Sequence, residues 1–171
     1  MANIQWNSNI YGHTITPYDD SPMVDIDGNI YPVVKIGTQI WTTKNLATTK
    51  YRDGTSISGP TYSGAAWALA TEAYCWYSDN YATYGTVYGA LYNWYAVSDA
   101  KNIAPLGWHV ATDAEWTTLT TYLGGESVAG GKLKEAGTSH WNTPNTEATN
   151  ETGFTSLPGG YRYDYNGTFI G

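Results

Sequence analysis

The sequence predicts one mixed domain that contains both strands and helices. A chain of 171 residues is long enough to bury roughly 70% of its unfolded surface around one core. Alternating apolar residues on both sides of Gly37-Thr38 are typical of a β-hairpin. Residues 112–123 have the capping residues and the periodicity of a helix. These two segments place strands and helices in the same fold.

Residues 105–124 have the pattern of a short buried strand, a turn and a capped helix. Thr112 is a favourable N-cap residue, and Glu115, three positions later, completes a capping box. Gly124 and Gly125 predict the end of this helix. Because apolar residues recur on one helical stripe beside the strand, we expect the core here. The predicted core residues are Trp41, Trp94, Trp108, Trp116, Leu119 and Leu123.

An acidic turn and a hairpin are predicted near the start of the domain. The Asp-x-Asp-Gly-Asn spacing over residues 25–29 could hold calcium, but these pairs are also ordinary turn residues, and we favour a turn. Residues 30–36 then alternate as a strand in which Pro32 indicates an edge position. Residues 39–42 return as the second strand of the hairpin.

Four further segments have the patterns of regular elements. Residues 73–77 predict a short buried strand around Cys75, which has no neighbouring base and is interpreted as a small buried apolar residue. Apolar positions at helical spacing predict one helix over residues 84–100 and a shorter one over residues 127–136. Residues 154–163 predict a strand that is broken by a Pro-Gly-Gly sequence.

Aromatic residues and a low charge dominate the composition. The chain has 16 Tyr and 8 Trp against 2 Phe, and this excess fits either an aromatic core or a recognition surface. The net charge of −7 and the absence of a basic run argue against a nucleic-acid partner. No apolar run approaches the ~18 residues that a membrane span needs. The single cysteine excludes an intrachain disulfide.

The polar loop over residues 138–151 is the candidate ligand-binding segment. The predicted ligand-binding residues are Trp141, Asn142, Asn145, Glu147, Tyr161 and Tyr163. Oxygen-bearing side chains in the same loop also predict a calcium site at Asn145, Glu147, Asn150 and Glu151. Turn and capping chemistry in a plain loop would explain the same side chains, and both interpretations stay open.

Residues 1–22 predict an irregular N-terminal arm that precedes a domain over residues 23–171. Asn, Ser, Gly, Pro and Asp dominate the arm, and it has neither the basic nor the apolar region of a signal peptide. The arm is expected either to attach the domain to a partner or to be a loose terminus.

Five motifs resemble one protein family: VVKIGTQIW (33–41), YGALYNWY (88–95), GWHV with TDAEW (107–116), GGKLKE (130–135) and LPGGYR (157–162). On these motifs, residues 23–171 resemble the Fibrobacter succinogenes major paralogous domain, which is found mostly in surface and secreted proteins of Bacteroidetes and Fibrobacteres. The TDAEW segment is also similar to the formylglycine-generating-enzyme branch of the C-type lectin fold.

The resemblance implies an α+β, C-type-lectin-like domain with small antiparallel sheets, two main helices and long loops. It also implies an extracellular or cell-surface location, and a virus particle fits the missing signal peptide. Members of the family often have Cys at the position where this chain has Ala104. They usually continue after the LPGGYR motif into a Trp-Ser-Ser stretch and a closing strand, and this chain is expected to end before them. We therefore expect an open sheet edge that a partner strand or a second copy of the chain completes.

Two functions follow from these observations. The first is a non-catalytic recognition or adhesion module that binds a glycan or a protein through its loops. The alternative is a structural subunit or decoration of an extracellular filament or virus particle, assembled through the arm and the open edge. An enzyme is not expected, because His13, His109 and His140 are scattered and no catalytic motif accompanies them.

Overall fold

The computed structural model describes residues 4–6, 21–61, 63–69 and 71–171. Its strands are β1 (Ile4–Trp6), β2 (Met23–Val24), β3 (Ile30–Tyr31), β4 (Val33–Ile36), β5 (Gln39–Thr42), β6 (Tyr74–Cys75), β7 (Leu91–Tyr92), β8 (Trp108–Val110), β9 (Tyr161–Arg162) and β10 (Phe169–Ile170). Its α-helices are α1 (Gly64–Trp67), α2 (Thr86–Tyr88), α3 (Trp94–Ser98), α4 (Asp113–Tyr122) and α5 (Glu126–Leu133). A 3₁₀ turn (Tyr77–Asp79) and a π-helical turn (Tyr81–Gly85) precede α2.

The strands form one four-stranded sheet and three two-stranded sheets. The larger sheet has the order β4-β5-β1-β8, and the smaller ones pair β2 with β3, β6 with β7 and β9 with β10. All of these pairs are antiparallel. The prediction of a mixed fold with small antiparallel sheets is therefore confirmed. Within the described residues, no helix is both long and apolar enough to cross a membrane.

The predicted hairpin is formed by β4 and β5. Ile36 pairs with Gln39 across the two-residue turn, and Gly37 has a φ of +61°, which glycine adopts without strain. The strand predicted over residues 30–36 is divided at Pro32, because Tyr31 pairs with Met23 while the residues after Pro32 pair with β5. β4 is an edge strand, as Pro32 indicates.

The acidic segment before β3 is a turn. The Asp25 carboxylate accepts hydrogen bonds from the backbone N–H groups of Asp27 at 3.0 Å and Asn29 at 2.9 Å. It also accepts one from the Tyr31 hydroxyl at 2.6 Å. These bonds are those of an Asx-turn that is tied to the following strand.

Three residues of the predicted arm are a strand. β1 lies between β5 and β8, where Gln5 pairs with Trp41 on one side and His109 on the other. The expectation of an irregular segment is therefore wrong for Ile4–Trp6, since sheet pairing overrides the weak local preference of such a short stretch. The rest of the arm through residue 20 lies outside the described residues.

The central helix, α4, has the predicted capping box. The Thr112 hydroxyl accepts a hydrogen bond from the Glu115 N–H at 3.3 Å, and the Glu115 carboxylate accepts one from the Thr112 N–H at 2.8 Å. Burial raises the Glu115 pKa, but hydrogen bonds from Thr112 and His109 outweigh it and hold the pKa below its usual value. After the helix, Gly124 and Gly125 both have a φ of +102°, which ends it as predicted.

The single helix predicted over residues 84–100 is wrong. The segment contains the end of the π-helical turn, α2, β7 and α3 in succession. The interruption occurs at Gly89, which has a φ of +71°, and at Ala90, whose N–H donates to the Leu46 carbonyl at 2.9 Å. A Cβ on Gly89 would lie 2.7 Å from the Leu46 oxygen. The Ala90 N–H therefore bonds to the loop that contains Leu46, and the helical hydrogen bond expected from the apolar spacing is not formed there.

The core beside α4 is centred on Trp41. Trp41 is 0% exposed, and its ring centroid lies 4.7 Å from that of Trp116 and 6.0 Å from that of Phe154. Leu119 and Leu123 are buried in the same cluster. Trp108 is half-buried and packs against a second buried cluster.

Trp94 is not a core residue, although its spacing predicts one. It is 72% exposed because it is the first residue of α3, a five-residue helix that begins at the Asn93 cap and buries only Ala96. The prediction places Trp94 on the apolar face of one long helix, and residues 84–100 do not form that helix.

The remaining predicted elements are shorter than expected. The helix predicted over residues 127–136 is α5, which ends at Leu133 because Lys134 forms a bridge to Ser156. The buried strand over residues 73–77 is only β6, paired with β7. In the strand predicted over residues 154–163, only β9 is regular, and β10 is its partner.

Candidate functional site

Three tyrosines form an exposed row that begins on β9. Tyr161, Tyr163 and Tyr165 are 48%, 40% and 76% exposed. Ring centroids lie 5.3 Å apart between Tyr161 and Tyr163, and 6.2 Å apart between Tyr163 and Tyr165, with edge-to-face packing in both pairs. A hydrogen bond with Tyr163 raises the Tyr161 pKa, so this phenol is protonated at neutral pH. We call these three residues the tyrosine row.

Arg162 anchors the strand from which the row extends. Its side chain points inward, as strand alternation requires between two exposed tyrosines. The guanidinium donates to the Thr61 carbonyl at 2.6 Å and to the Gly167 carbonyl at 3.0 Å. It lies 3.6 Å from the Asp79 carboxylate. These bonds tie β9 and its turn to two distant segments, so the row stands on a fixed support.

Aromatic rings also hold the inner face of the β9–β10 hairpin. The Arg162 guanidinium carbon lies 5.1 Å from the Trp67 ring centroid and 4.6 Å from that of Phe169. Phe169 pairs directly with Arg162 across the hairpin, and its ring lies 5.4 Å from that of Tyr77. A planar cation among aromatic faces is a favourable arrangement for a buried arginine.

The polar loop is held by its own side chains. The Trp141 indole N–H donates to the Ser156 carbonyl at 3.0 Å, and the Lys134 ammonium lies 5.4 Å from the Trp141 ring centroid. The Asn145 amide N–H₂ group donates to the carbonyls of Glu135 at 2.8 Å and Gly137 at 2.7 Å. Trp141 and Asn145 therefore stabilise the loop, while Asn142 and Glu147 are exposed on it.

Three of the four residues of the predicted calcium site make separate protein contacts, and Glu147 is exposed. Asn150 is bonded to Thr155 through both ends of its amide, at 2.8 and 2.9 Å. Glu151 pairs with Lys132 at 3.1 Å. In the described part of the chain, no three His, Cys, Asp or Glu side chains are grouped as metal ligands. Calcium binding through Asn145, Glu147, Asn150 and Glu151 stays a prediction.

In the described part of the chain, the side-chain contacts of the tyrosine row and of the polar loop do not join the two directly. Among the described residues, no hydrogen bond, ion pair or ring contact joins Tyr161 or Tyr163 to residues 141–147. Instead, a chain of ring contacts runs from the inner face of the hairpin through Tyr77, Tyr84 and Tyr88 to His140, with centroid distances of 5.2, 6.3 and 5.9 Å. The two parts of the predicted site are thus connected through packing.

The reactive side chains are held in structural contacts. Cys75 is buried, and burial raises its pKa to about 11, which keeps the thiol protonated at neutral pH. His109 Nε2 lies 2.8 Å from the Glu115 carboxylate in the capping box. His140 Nδ1 lies 2.9 Å from Glu135. That the chain is not an enzyme stays a prediction.

Sequence reasoning did not identify two features of the surface. Tyr165 completes the tyrosine row, and the alternation of Tyr over residues 161–165 is a signal that could have found it. The second feature is a cavity between the acidic turn and the π-helical turn. Its residues come from segments that are distant in sequence, so no local pattern indicates it.

The fold and these surfaces define a mixed domain with small antiparallel sheets, a short capped central helix and exposed aromatic residues. Comparison with protein families then identifies it more closely. The family described as the Fibrobacter succinogenes major domain matches residues 34–170. The chain belongs to this family, in agreement with the resemblance of its motifs. No curated protein and no solved structure matches it.

Proposed function

We propose that this protein is a non-catalytic recognition module of a surface or secreted protein, and that it binds glycan chains along the tyrosine row. The observation that carries the proposal is three neighbouring phenols exposed on a hairpin that a buried arginine fixes. Exposed aromatic side chains in a row cost hydration free energy unless a ligand covers them.

The chemistry of the row suits a sugar chain. A pyranose ring presents C–H groups on its faces and hydroxyls at its edge, and a tyrosine presents an apolar ring with a hydroxyl that both donates and accepts. The ring centroids of the three phenols lie 5.3 and 6.2 Å apart, so neighbouring rings offer repeated contacts to a repeating ligand. A protein partner would instead need about 800 Å² of contact surface, and three tyrosines provide only part of that.

The proposal includes a C-type-lectin-like fold and an extracellular location, either on a cell surface or on a virus particle. Capped helix α4 beside the larger sheet and the long loops around it support the lectin-like fold. The extracellular location is supported by the family, whose domains are found mostly in surface and secreted proteins.

Replacing the three tyrosines of the row by Ala (Tyr161→Ala, Tyr163→Ala and Tyr165→Ala together) is expected to weaken glycan binding by about a hundredfold or more. Each phenol contributes on the order of 1 kcal/mol of contact free energy, and each 1.4 kcal/mol is a factor of ten. Binding is measured for the full chain on an array of soluble and immobilised polysaccharides, and the Kd is then obtained by calorimetry.

A matched control replaces Tyr95 and Tyr122 by Ala, because these tyrosines are exposed to a similar degree but lie outside the row. This control is expected to keep the wild-type Kd. If the wild-type chain binds no glycan, or if both variants lose binding equally, the tyrosine row is not the binding surface.

The alternative function, a structural subunit of a filament or virus particle, is supported by the position of β1. This strand makes its pairs with both β5 and β8, and a β1 strand from a second copy would make the same pairs. Light scattering at rising protein concentration is expected to show oligomers, and Gln5→Pro is expected to dissociate them because Pro cannot donate to the ladder. A monomer at every concentration would exclude this assembly.

A further inference from the structure

A surface cavity of about 510 Å³ is lined by residues that do not belong to the tyrosine row. It is larger than the cavities beside His140 and beside Tyr161, whose volumes are about 280 and 210 Å³. Its volume is within the range of small-molecule sites, roughly 300–1,000 Å³. The acidic turn, the loop after β5, the end of β6 and the π-helical turn all contribute to its walls.

One wall carries a fixed carboxylate. Asp27 accepts hydrogen bonds from the Thr49 N–H at 2.6 Å and the Thr49 hydroxyl at 2.9 Å, and it pairs with Lys50 at 2.9 Å. Burial raises the Asp27 pKa, but the bonds from Thr49 and Lys50 outweigh it and hold the pKa below its usual value. Asp27 is therefore an ionised acceptor whose charge Lys50 balances.

A second polar group on this wall has a fixed orientation. The Asn29 side-chain amide donates to the Asp25 carboxylate at 2.8 Å, and the Asn29 N–H donates to the same carboxylate at 2.9 Å. These bonds belong to the acidic turn, so the wall is preorganised before any ligand arrives.

The same cavity also has an aromatic part in its lining. Tyr81 is 56% exposed, and its ring centroid lies 4.8 Å from that of the buried Trp76. The rings approach this closely because residue 85 is Gly: a Cβ there would lie 2.5 Å from the Tyr81 ring and 2.9 Å from the Trp76 ring. The Tyr81 ring thus packs on Trp76, and its exposed part contributes an aromatic surface to the cavity.

A cavity that contains both an aromatic surface and a fixed acceptor suits a sugar ring. The C–H face of a pyranose packs on an aromatic ring, and its hydroxyls donate to a carboxylate. A hydroxyl of a neutral sugar can donate a hydrogen bond to the Asp27 carboxylate, whereas the carboxylate of an anionic ligand can only accept. We propose that this cavity binds one neutral hexose residue, which packs on Tyr81 and donates hydroxyl hydrogen bonds to Asp27. The ligand class is that of the proposed function, but the residues are independent of the tyrosine row.

The test is an NMR titration of the full chain with glucose, galactose, mannose and N-acetylglucosamine in turn. At least one of these sugars is expected to cause saturable shifts at the Thr49 and Gly85 amides and at the Trp76 indole N–H. Tyr81→Ala is expected to weaken that binding about tenfold, while Tyr81→Phe, which keeps the ring, changes it by less than about twofold. Sialic acid, an anionic sugar, is the ligand expected not to bind.

Two outcomes overturn the inference. In one, none of the four sugars shifts these resonances; in the other, Tyr81→Ala leaves the titration unchanged while its amide spectrum shows a folded protein. The variant that lacks the tyrosine row separates this inference from the proposed function. If this variant keeps the sugar-dependent NMR shifts at the cavity but loses polysaccharide binding, the cavity and the tyrosine row are two separate binding sites. If the wild type binds polysaccharide and no cavity resonance responds, the proposed function stands and the cavity site does not.

Discussion

Replacing Arg162 by Met is expected to destabilise the protein by about 3–5 kcal/mol, which is the effect of removing one partner from a buried charge network. The Arg162 side chain is 2% exposed beside the Asp79 carboxylate. Without the guanidinium, the carbonyls of Thr61 and Gly167 lose their donors as well. The free energy of unfolding is measured by urea denaturation.

Two further variants distinguish the charge network from a simple packing effect. Arg162→Lys keeps the charge but not the planar fork that reaches several acceptors, so it is expected to lose part of the stability. Adding Asp79→Asn to Arg162→Met is expected to restore about 1 kcal/mol or more of the free energy of unfolding, because a neutral amide then replaces the unpaired Asp79 carboxylate. An Arg162→Met protein as stable as the wild type would contradict the role assigned to this residue.

Replacing Trp41 by Ala is also expected to destabilise the protein by about 3–5 kcal/mol, the usual cost of removing a buried indole. Trp41 is 0% exposed and packs on Trp116 and Phe154. It lies on β5, the strand between β4 and β1, so the cavity would open between the larger sheet and α4. Urea denaturation measures the loss, and an unchanged slope would show that both proteins unfold in the same way.

The matched control for Trp41 is Trp94→Ala, which makes the same change at an exposed position. Because Trp94 is 72% exposed, its replacement is expected to change the stability by no more than about 0.5 kcal/mol. A large loss at Trp94 would support the core position that the helical periodicity predicts, and it would contradict the structure.

Local chemistry in the sequence determined the elements that short-range hydrogen bonds define. The capping box of Thr112 and Glu115, the glycines at the end of α4 and the turn between β4 and β5 are all present as predicted. Each depends on residues within a few positions of one another, so their types and spacing contain the required information. The family motifs are local in the same sense.

Only the tertiary structure decided which surfaces those elements bury. The Leu46 carbonyl interrupts the predicted helix at Ala90, and this change leaves Trp94 outside the core. The cavity lined by Asp27 and Tyr81 likewise combines segments that are distant in the chain. Periodicity records which side chains are apolar, but burial depends on what long-range packing brings against them, and no local pattern contains that information.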